Sequence, residues 1–283
     1  MAFPFPNITI GDYLVNSVRE PMEKLGAEVE VEIEVMNPEE LERFLAVGQE
    51  NWKGVCDLIQ NLGGLLMCAY YPESKVETSR LTAKYYDILM DIITFGAYSS
   101  FIQKAIRLIN IKSNDRIIDL GAGTGKNACL MMNYLSVKGE LIALDISSEM
   151  VAQFERRCAG LVNAKIINQR IDKPLPYKDE FDKAFISFVL HGFPQDVRRQ
   201  IIRNAFRALK KNGEFFILDY NEFSVKEMPF YLKIPFKLIE CPYAFDFVEK
   251  NWRKILAGEG FSHFENYLFF YGYVRLLKGV KLS

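Results

Sequence analysis

The period of the apolar positions changes along the chain, and each change marks an element. In Glu28–Val35 the residues Val29, Val31, Ile33 and Val35 alternate with Glu30, Glu32 and Glu34. Strict period-two alternation predicts a strand with one buried face and one acidic, solvated face. A helix is predicted before it, over Asp12–Leu25. Another follows it, where Asn37 supplies an N-cap and Pro38 the first helical residue. After Gly63-Gly64 the unbroken apolar run Leu65–Tyr70 predicts a fully buried strand, and Pro72-Glu73-Ser74 ends it. Residues 1–78 therefore read as a small α/β unit of βαβ type, followed by the polar linker Glu73–Ser79.

From residue 79 the pattern becomes longer and more regular. Two helical stretches, Leu81–Thr94 and Ser100–Asn110, precede five apolar strand candidates: Arg116–Leu120, Leu141–Ile146, Lys165–Asn168, Lys183–Val189 and Glu214–Tyr220. Helical stretches or loops alternate with them. Between Asp196 and Leu209, Val197, Ile201, Ala205 and Leu209 recur at four-residue spacing, as on the apolar face of an amphipathic helix. Gly160 and Gly213 are expected where helices stop, and Pro194 where one starts. Strand–helix alternation of this kind implies a doubly wound α/β fold, a parallel sheet with helices on both faces. Near the end, Phe261–Phe270 and Tyr271–Leu277 follow each other almost directly. So short a connection joins only antiparallel strands, which brings the sheet to seven.

Composition adds boundaries to this picture. With 283 residues, 49% hydrophobic and 25% charged, the chain is neither disordered nor a disulfide-stapled mini-protein. No apolar run approaches the ~20 residues that span a bilayer, and Met1–Ile10 lacks the basic head and apolar stretch of a secretory signal. Five scattered cysteines without a CxxC, beside only two histidines, exclude a Cys/His zinc site; no metal is expected, and a cytoplasmic location is. The net charge of −1 hides a break: residues 1–78 hold 14 acids against 5 bases, while residues 79–283 hold 22 acids against 30 bases. Such a break suits docking or dimerisation through the acidic unit, or simply two solvated faces. The bases are spread along helices and are not clustered with aromatics, so no nucleic-acid partner is expected.

The chemistry concentrates in Ile118-Asp119-Leu120-Gly121-Ala122-Gly123-Thr124-Gly125-Lys126. A strand runs into three glycines at alternate positions and then into a helix, so a ligand can lie on bare backbone beside unpaired N–H groups. Nicotinamide and flavin enzymes use G-x-G-x-x-G. Here the spacing is G-x-G-x-G with an acid two residues ahead, which disfavours a pyrophosphate and suits an ammonium. Twenty residues after Gly125, Asp145 ends the next strand, where a carboxylate can accept both hydroxyls of an adenosine ribose. That second feature serves NAD as well as other adenosine cofactors.

These motifs resemble the class I S-adenosylmethionine-dependent methyltransferases, with their Rossmann-like fold, over about Thr82 to Leu277. The resemblance is closest to the ubiquinone/menaquinone-biosynthesis C-methyltransferases of the UbiE type and their unassigned relatives. Its carriers are Ala83-Lys-Tyr-Tyr-Asp87 with Thr94-Phe-Gly-Ala-Tyr98, Asp119–Gly125, Leu144-Asp-Ile-Ser147, Leu175-Pro-Tyr, Phe181-Asp182, Val189-Leu-His-Gly-Phe193, Leu209-Lys-Lys-Asn-Gly213 and Gly260-Phe261. It implies S-adenosylmethionine as cofactor. Asp119 would hold the methionine ammonium, Gly121, Ala122 and Gly123 would line the cofactor, and Asp145 would bind the ribose. Ile146 and Met150 would flank the adenine, and Tyr86 and Gly96 would close over the methionine end. The family's usual acid before Leu-Pro is Ile171 here, between Arg170 and Asp172; a one-residue shift would give Asp172 the adenine contact.

The transfer itself is an in-line displacement that needs a base only if the acceptor loses a proton. His191, at the carboxyl end of a strand, is the candidate catalytic residue, and a loop histidine bonded to backbone is the alternative. Asp219 and Tyr220, at the end of the next strand, are candidates for the acceptor site. A lid at about 226–247, rich in aromatics and broken by three prolines, would cover a flat or lipophilic acceptor and contributes Phe236 and Glu240; its aromatics would otherwise seal the protein's own core. The expected function is methyl transfer to a small or lipophilic acceptor, most specifically a quinone or quinol ring carbon, with peripheral membrane contact and a homodimer left open. S- or O-methylation of another small molecule, a non-catalytic cofactor-binding protein and a nicotinamide oxidoreductase are the alternatives.

Overall fold

A computed structural model of the chain describes residues 98–228, Phe236 and 240–282. The expected elements of residues 1–78, the helix over Leu81–Thr94, and Tyr86 and Gly96 lie outside the described residues. Helix α1 (Tyr98–Leu108) leads into β1 (Arg116–Leu120), α2 (Lys126–Met132), β2 (Glu140–Asp145), α3 (Ser148–Arg157), β3 (Ala164–Asn168) and β4 (Phe181–Ser187). A single 3-10 turn, Leu190–Gly192, then precedes α4 (Gln195–Ala208) and β5 (Leu209–Tyr220). The chain ends with α5 (Pro242–Val248), α6 (Trp252–Gly258), β6 (Phe261–Phe269) and β7 (Val274–Lys281).

The strands form one seven-stranded sheet in the order β3-β2-β1-β4-β5-β7-β6. Strands β1 to β5 are parallel, and β7 runs antiparallel between β5 and β6. The expected doubly wound sheet with a C-terminal antiparallel pair is the observed one. Its two faces bury different helices. Ile118, Leu120, Ile142, Leu144 and Ile186 pack with α4, α5 and α6, whereas Ile117, Leu141, Ala143, Phe185 and Phe216 pack with α1, α2 and α3. Strand order reverses where β1 lies between β2 and β4, and ligands of open α/β sheets bind at such a switch point, outside the carboxyl ends of the strands.

One local expectation is corrected. Gly213 does not stop a helix, because α4 already ends at Ala208 and Gly213 lies within β5. Register jumps from Phe181↔Leu209 to Lys183↔Glu214, so β5 spends extra residues in a bulge, with Asn212 at φ 64°. The β4 that was expected to run to Val189 ends at Ser187, and Phe188 takes φ 52°. That turn aims the next residues across the carboxyl edge of the sheet.

Candidate functional site

The glycine loop is fixed on the end of β2. Gly121 and Ala122 both donate to the Leu144 carbonyl, at 2.8 and 3.1 Å, and Gly123 donates to Asp145 Oδ2 at 2.8 Å. The three glycines have φ of 81°, 55° and 82° and differ in what surrounds them. A Cβ on Gly121 would come within 2.8 Å of Val189, and one on Gly125 within 2.7 Å of Phe154. On Gly123 it would meet nothing within 4 Å. The outer two thus allow close packing, and the middle one leaves bare backbone facing open space.

Asp119 lies at the end of β1, 1% exposed, and its Oδ2 is buried without a hydrogen-bond partner. Burial, reinforced by the nearby Asp145 charge, pushes its carboxyl up to about 8. A buried acid in that state gains most from a cationic group that donates to it. Asp145 accepts from Ser147 N–H at 2.9 Å on Oδ1 and from Gly123 N–H on Oδ2. Burial raises its pKa, opposed by the N–H groups of Ser147, Gly123 and Ile146. Each oxygen keeps a lone pair, enough for two ligand hydroxyls. Ser147 caps α3 by accepting from Met150 N–H, and Met150 is buried at 5% exposed. Ile146 is held by Asn168, whose amide donates to its carbonyl at 2.8 Å. Asp172 does not stand alone: both its oxygens accept from Arg170, at 2.9 and 2.6 Å. Any contact it makes to a ligand is therefore made as half of a fork with that guanidinium.

A second group of residues sits at the ends of β4 and β5. Asp219 Oδ2 accepts from the His191 backbone N–H at 3.2 Å, and Oδ1 lies 2.7 Å from His191 Nδ1. On the other side of the ring, Nε2 is 3.4 Å from Glu240 Oε2, and Tyr220 donates its hydroxyl to Glu240 Oε1 at 2.7 Å. Burial alone would lower the imidazole pKa; the carboxylates of Asp219 and Glu240 overcome it and bring the pKa to about 9. His191 is therefore an imidazolium at neutral pH, whereas a general base must start neutral. Set between the carboxylates of Asp219 and Glu240, the ring favours its protonated form, which suits a hydrogen-bond donor or charge partner. Val189, two residues earlier, lies against Gly121, so this group and the glycine loop share one edge of the sheet.

Phe236 is placed differently from the lid residue expected. It is 8% exposed, within a core cluster, with the rings of Tyr220, Phe223 and Phe245 at 5.2, 5.8 and 5.3 Å. The last part of the lid is helix α5, begun by Pro242 at its first turn, and Ala244, Phe247 and Val248 are buried in the same core. Arg198 on α4 holds it there. With no exposed side-chain surface, it donates to the carbonyls of Leu190, His191 and Tyr243 and to Asp246.

Comparison with known proteins decides the family. Residues 111–259, just over half of the chain, match the model of a methyltransferase domain. The chain belongs to the methyltransferase-domain family. Among its relatives are the ubiquinone/menaquinone biosynthesis C-methyltransferases UbiE of Pectobacterium carotovorum, 26% identical over 155 residues, and Photorhabdus laumondii, 28% identical over 149. These alignments cover 54% and 52% of this chain but only 61% and 59% of those proteins, about three fifths of their length. The fold is shared with an S-adenosylmethionine-dependent methyltransferase from Aquifex aeolicus, at TM-score 0.50 and 18% identity, covering 64% of this chain and 89% of that one. The family read from the motifs is the family found.

Two residues of this methyltransferase domain escaped the reading of its motifs. Arg198 looks like one of several solvated arginines on α4, although it shares the helix side of Ile201, Ile202 and Ala205, all buried. Ser187 looks like an ordinary strand end, yet its hydroxyl is buried without a partner. The available signal was its place, four residues before His191 and directly after the apolar run Ala184–Ile186.

Proposed function

We propose that the chain is an S-adenosylmethionine-dependent methyltransferase acting on a small or lipophilic acceptor, most specifically the ring carbon of a quinol. The observation that carries the cofactor assignment is the buried, partnerless Oδ2 of Asp119 close to a glycine loop whose middle residue faces open space. Bound there, the cofactor supplies a methyl group activated on a sulfonium. Asp119 would take the methionine ammonium, Gly121, Ala122 and Gly123 would lie along it, and Asp145 would accept the two ribose hydroxyls. Ile146 and Met150 would flank the adenine, with Tyr86 and Gly96 at the methionine end and the Asp172–Arg170 fork at the adenine amino group. An adenosine sulfonium fits these groups; a dinucleotide pyrophosphate would meet the Asp119 carboxyl.

On the acceptor side, Asp219, Tyr220, His191 and Glu240 form one hydrogen-bonded and ion-paired array, while Phe236 backs Tyr220 from the core. A phenol or quinol becomes nucleophilic at carbon when its hydroxyl loses a proton. His191, held positive, would steady the resulting oxyanion, and Glu240 is the carboxylate beside it that can accept the proton. Similarity to the UbiE proteins supports a quinol, and the rings of Phe188, Tyr220 and Phe236, in edge contact at 5.2–6.2 Å, support a flat acceptor. The acidic segment 1–78 would serve docking or dimerisation.

The test is methyl transfer by the full chain from methyl-labelled S-adenosylmethionine to a panel of quinols, phenols and thiols. Label in a quinol ring carbon is expected. Label only on sulfur or oxygen would overturn the quinol reading, and cofactor binding without any transfer, insensitive to His191, would make the protein a cofactor-binding partner.

A further inference from the structure

Arg198 of α4 has no exposed side-chain surface, and it bonds both to the turn that carries His191 and to the helix that follows Glu240. All five N–H donors of its guanidinium are used. Nε donates to the Leu190 carbonyl at 3.2 Å and Nη2 to the His191 carbonyl at 3.0 Å, both in the 3-10 turn. Nη2 also donates to the Tyr243 carbonyl, and Nη1 to Asp246 Oδ2 at 2.8 Å, both on α5. The last donor goes to Gln195 Oε1 at 3.1 Å, within α4 itself. The rings of Phe247 and Trp252 lie over the guanidinium at 5.2 and 5.7 Å, and Phe247 meets the His191 ring edge-on at 6.2 Å. Other arginines of the helix behave differently: Arg199 and Arg203 keep contact with solvent and pair with Glu259.

Burying a guanidinium is costly, and apolar residues of similar volume often replace a buried ion pair without loss of stability. Stability is therefore a weak reason for keeping one; what an apolar residue cannot supply is register. The two groups that need a common register here arrive on different segments. His191 is gripped from β5 by Asp219, through its backbone N–H and Nδ1. Glu240 comes in two residues ahead of α5, and its Oε2 stands 3.4 Å from His191 Nε2. We propose that Arg198 is a positioning residue of the acceptor site: by tying the His191 turn to α5, it sets Glu240 against His191 Nε2. This deepens the acceptor reading above and rests on it, since a donor to an oxyanion and an acceptor of its proton serve one hydroxyl only when both face it together. A lysine would keep the charge, but its point-like ammonium cannot reach the turn and α5 at once as the planar fork does.

NMR titration of the imidazole rings in the full chain tests this, with Arg198→Met and Arg198→Lys beside the wild type. The chain has two histidines, and the exposed His263 is the internal reference. The direct and the indirect effect of Arg198 on His191 have opposite signs. The guanidinium charge disfavours the imidazolium, so losing the charge alone raises the His191 pKa. Letting Glu240 move away lowers it. Arg198→Met is expected to lower it by about one unit, the small end of the range for a nearby opposite charge, and Arg198→Lys is expected to lower it too, with His263 unmoved in both. A cooperative thermal transition shows that each variant is folded, and Arg198→Lys carries the test should Arg198→Met fail there. In the Glu240→Gln background, Arg198→Met is expected to lower the pKa no further. A His191 pKa that rises in Arg198→Met, or is unmoved in both variants, would overturn the proposal by leaving Arg198 a charge or a packing group only. A further fall in the Glu240→Gln background would overturn it as well, because the effect would then bypass Glu240. Transfer by the wild type to the acceptor panel keeps the two readings apart. Transfer with an unmoved His191 pKa would overturn this proposal alone; no transfer at all would overturn the acceptor reading and the catalytic purpose given to Arg198 with it.

Discussion

Raising the pH from 6 to 8 should tighten cofactor binding if Asp119 receives the ammonium as proposed, because burial favours the protonated carboxyl in the free protein. Burial and the Asp145 charge bring Asp119 to about 8. At pH 7 about one molecule in ten then carries the carboxylate, and at pH 6 about one in a hundred. An ammonium binds the ionised form and pulls the pKa down, so each bound ligand displaces a proton. Affinity for S-adenosylhomocysteine should climb about nine-fold from pH 6 to 7, close to 1.4 kcal/mol, and about five-fold from pH 7 to 8. Titration calorimetry at pH 7 in two buffers of different ionisation enthalpy should register release of about 0.9 proton, falling to about 0.5 at pH 8. Asp119→Asn should bind more weakly at pH 8, with no slope and no proton release. The same shift acts on the free protein. A carboxyl raised above its unfolded value contributes stability that is full below the unfolded pKa and is lost as pH rises through about 8. The ligand-free melting temperature should therefore fall between pH 6 and pH 9 in the wild type and less so in Asp119→Asn. A flat affinity with no proton release in the wild type would show that Asp119 is ionised throughout and would refute the reasoning.

Three further substitutions separate the parts of the site. Gly123→Ala adds a Cβ that meets nothing in the protein, so apart from about 1 kcal/mol of backbone strain the fold should survive while S-adenosylhomocysteine binding drops; unaltered binding would remove Gly123 from the cofactor seat. Glu240→Gln withdraws one of the two charges beside His191, and NMR titration of the ring should show its pKa fall from about 9; an unmoved value would mean that Asp219 alone sets it. Arg198→Ala leaves the carbonyls of Leu190, His191 and Tyr243 without this donor, while the half-exposed Asp246 keeps Lys250, a loss of about 1–3 kcal/mol in urea unfolding. A loss under ~0.5 kcal/mol would refute the role of Arg198 as the tie between α4 and α5.

What was legible in the chain was what neighbours in sequence decide. The loop Gly121–Gly125 and the acids Asp119 and Asp145 depend on spacing within two strand–turn–helix units, and the structure puts them together at one edge. The doubly wound sheet followed from alternating periods, since each strand and helix carries its own pattern. The ionisation of His191 was not legible, because it is set by Asp219 and Glu240, 28 and 49 residues away and brought in by β5 and the segment before α5. Arg198 was hidden for the same reason: its partners come from the 3-10 turn and from α5. Gly213 misled because glycine serves a strand bulge as well as a helix end, and only pairing with β4 tells the two apart. Phe236 was read by composition as a lid residue, and its ring contacts place it within the core.

The most direct test of the cofactor assignment is a calorimetric titration of the full chain with S-adenosylmethionine, S-adenosylhomocysteine and NAD. Micromolar binding of the first two, without binding of NAD, is the predicted result. Binding of NAD alone would contradict it.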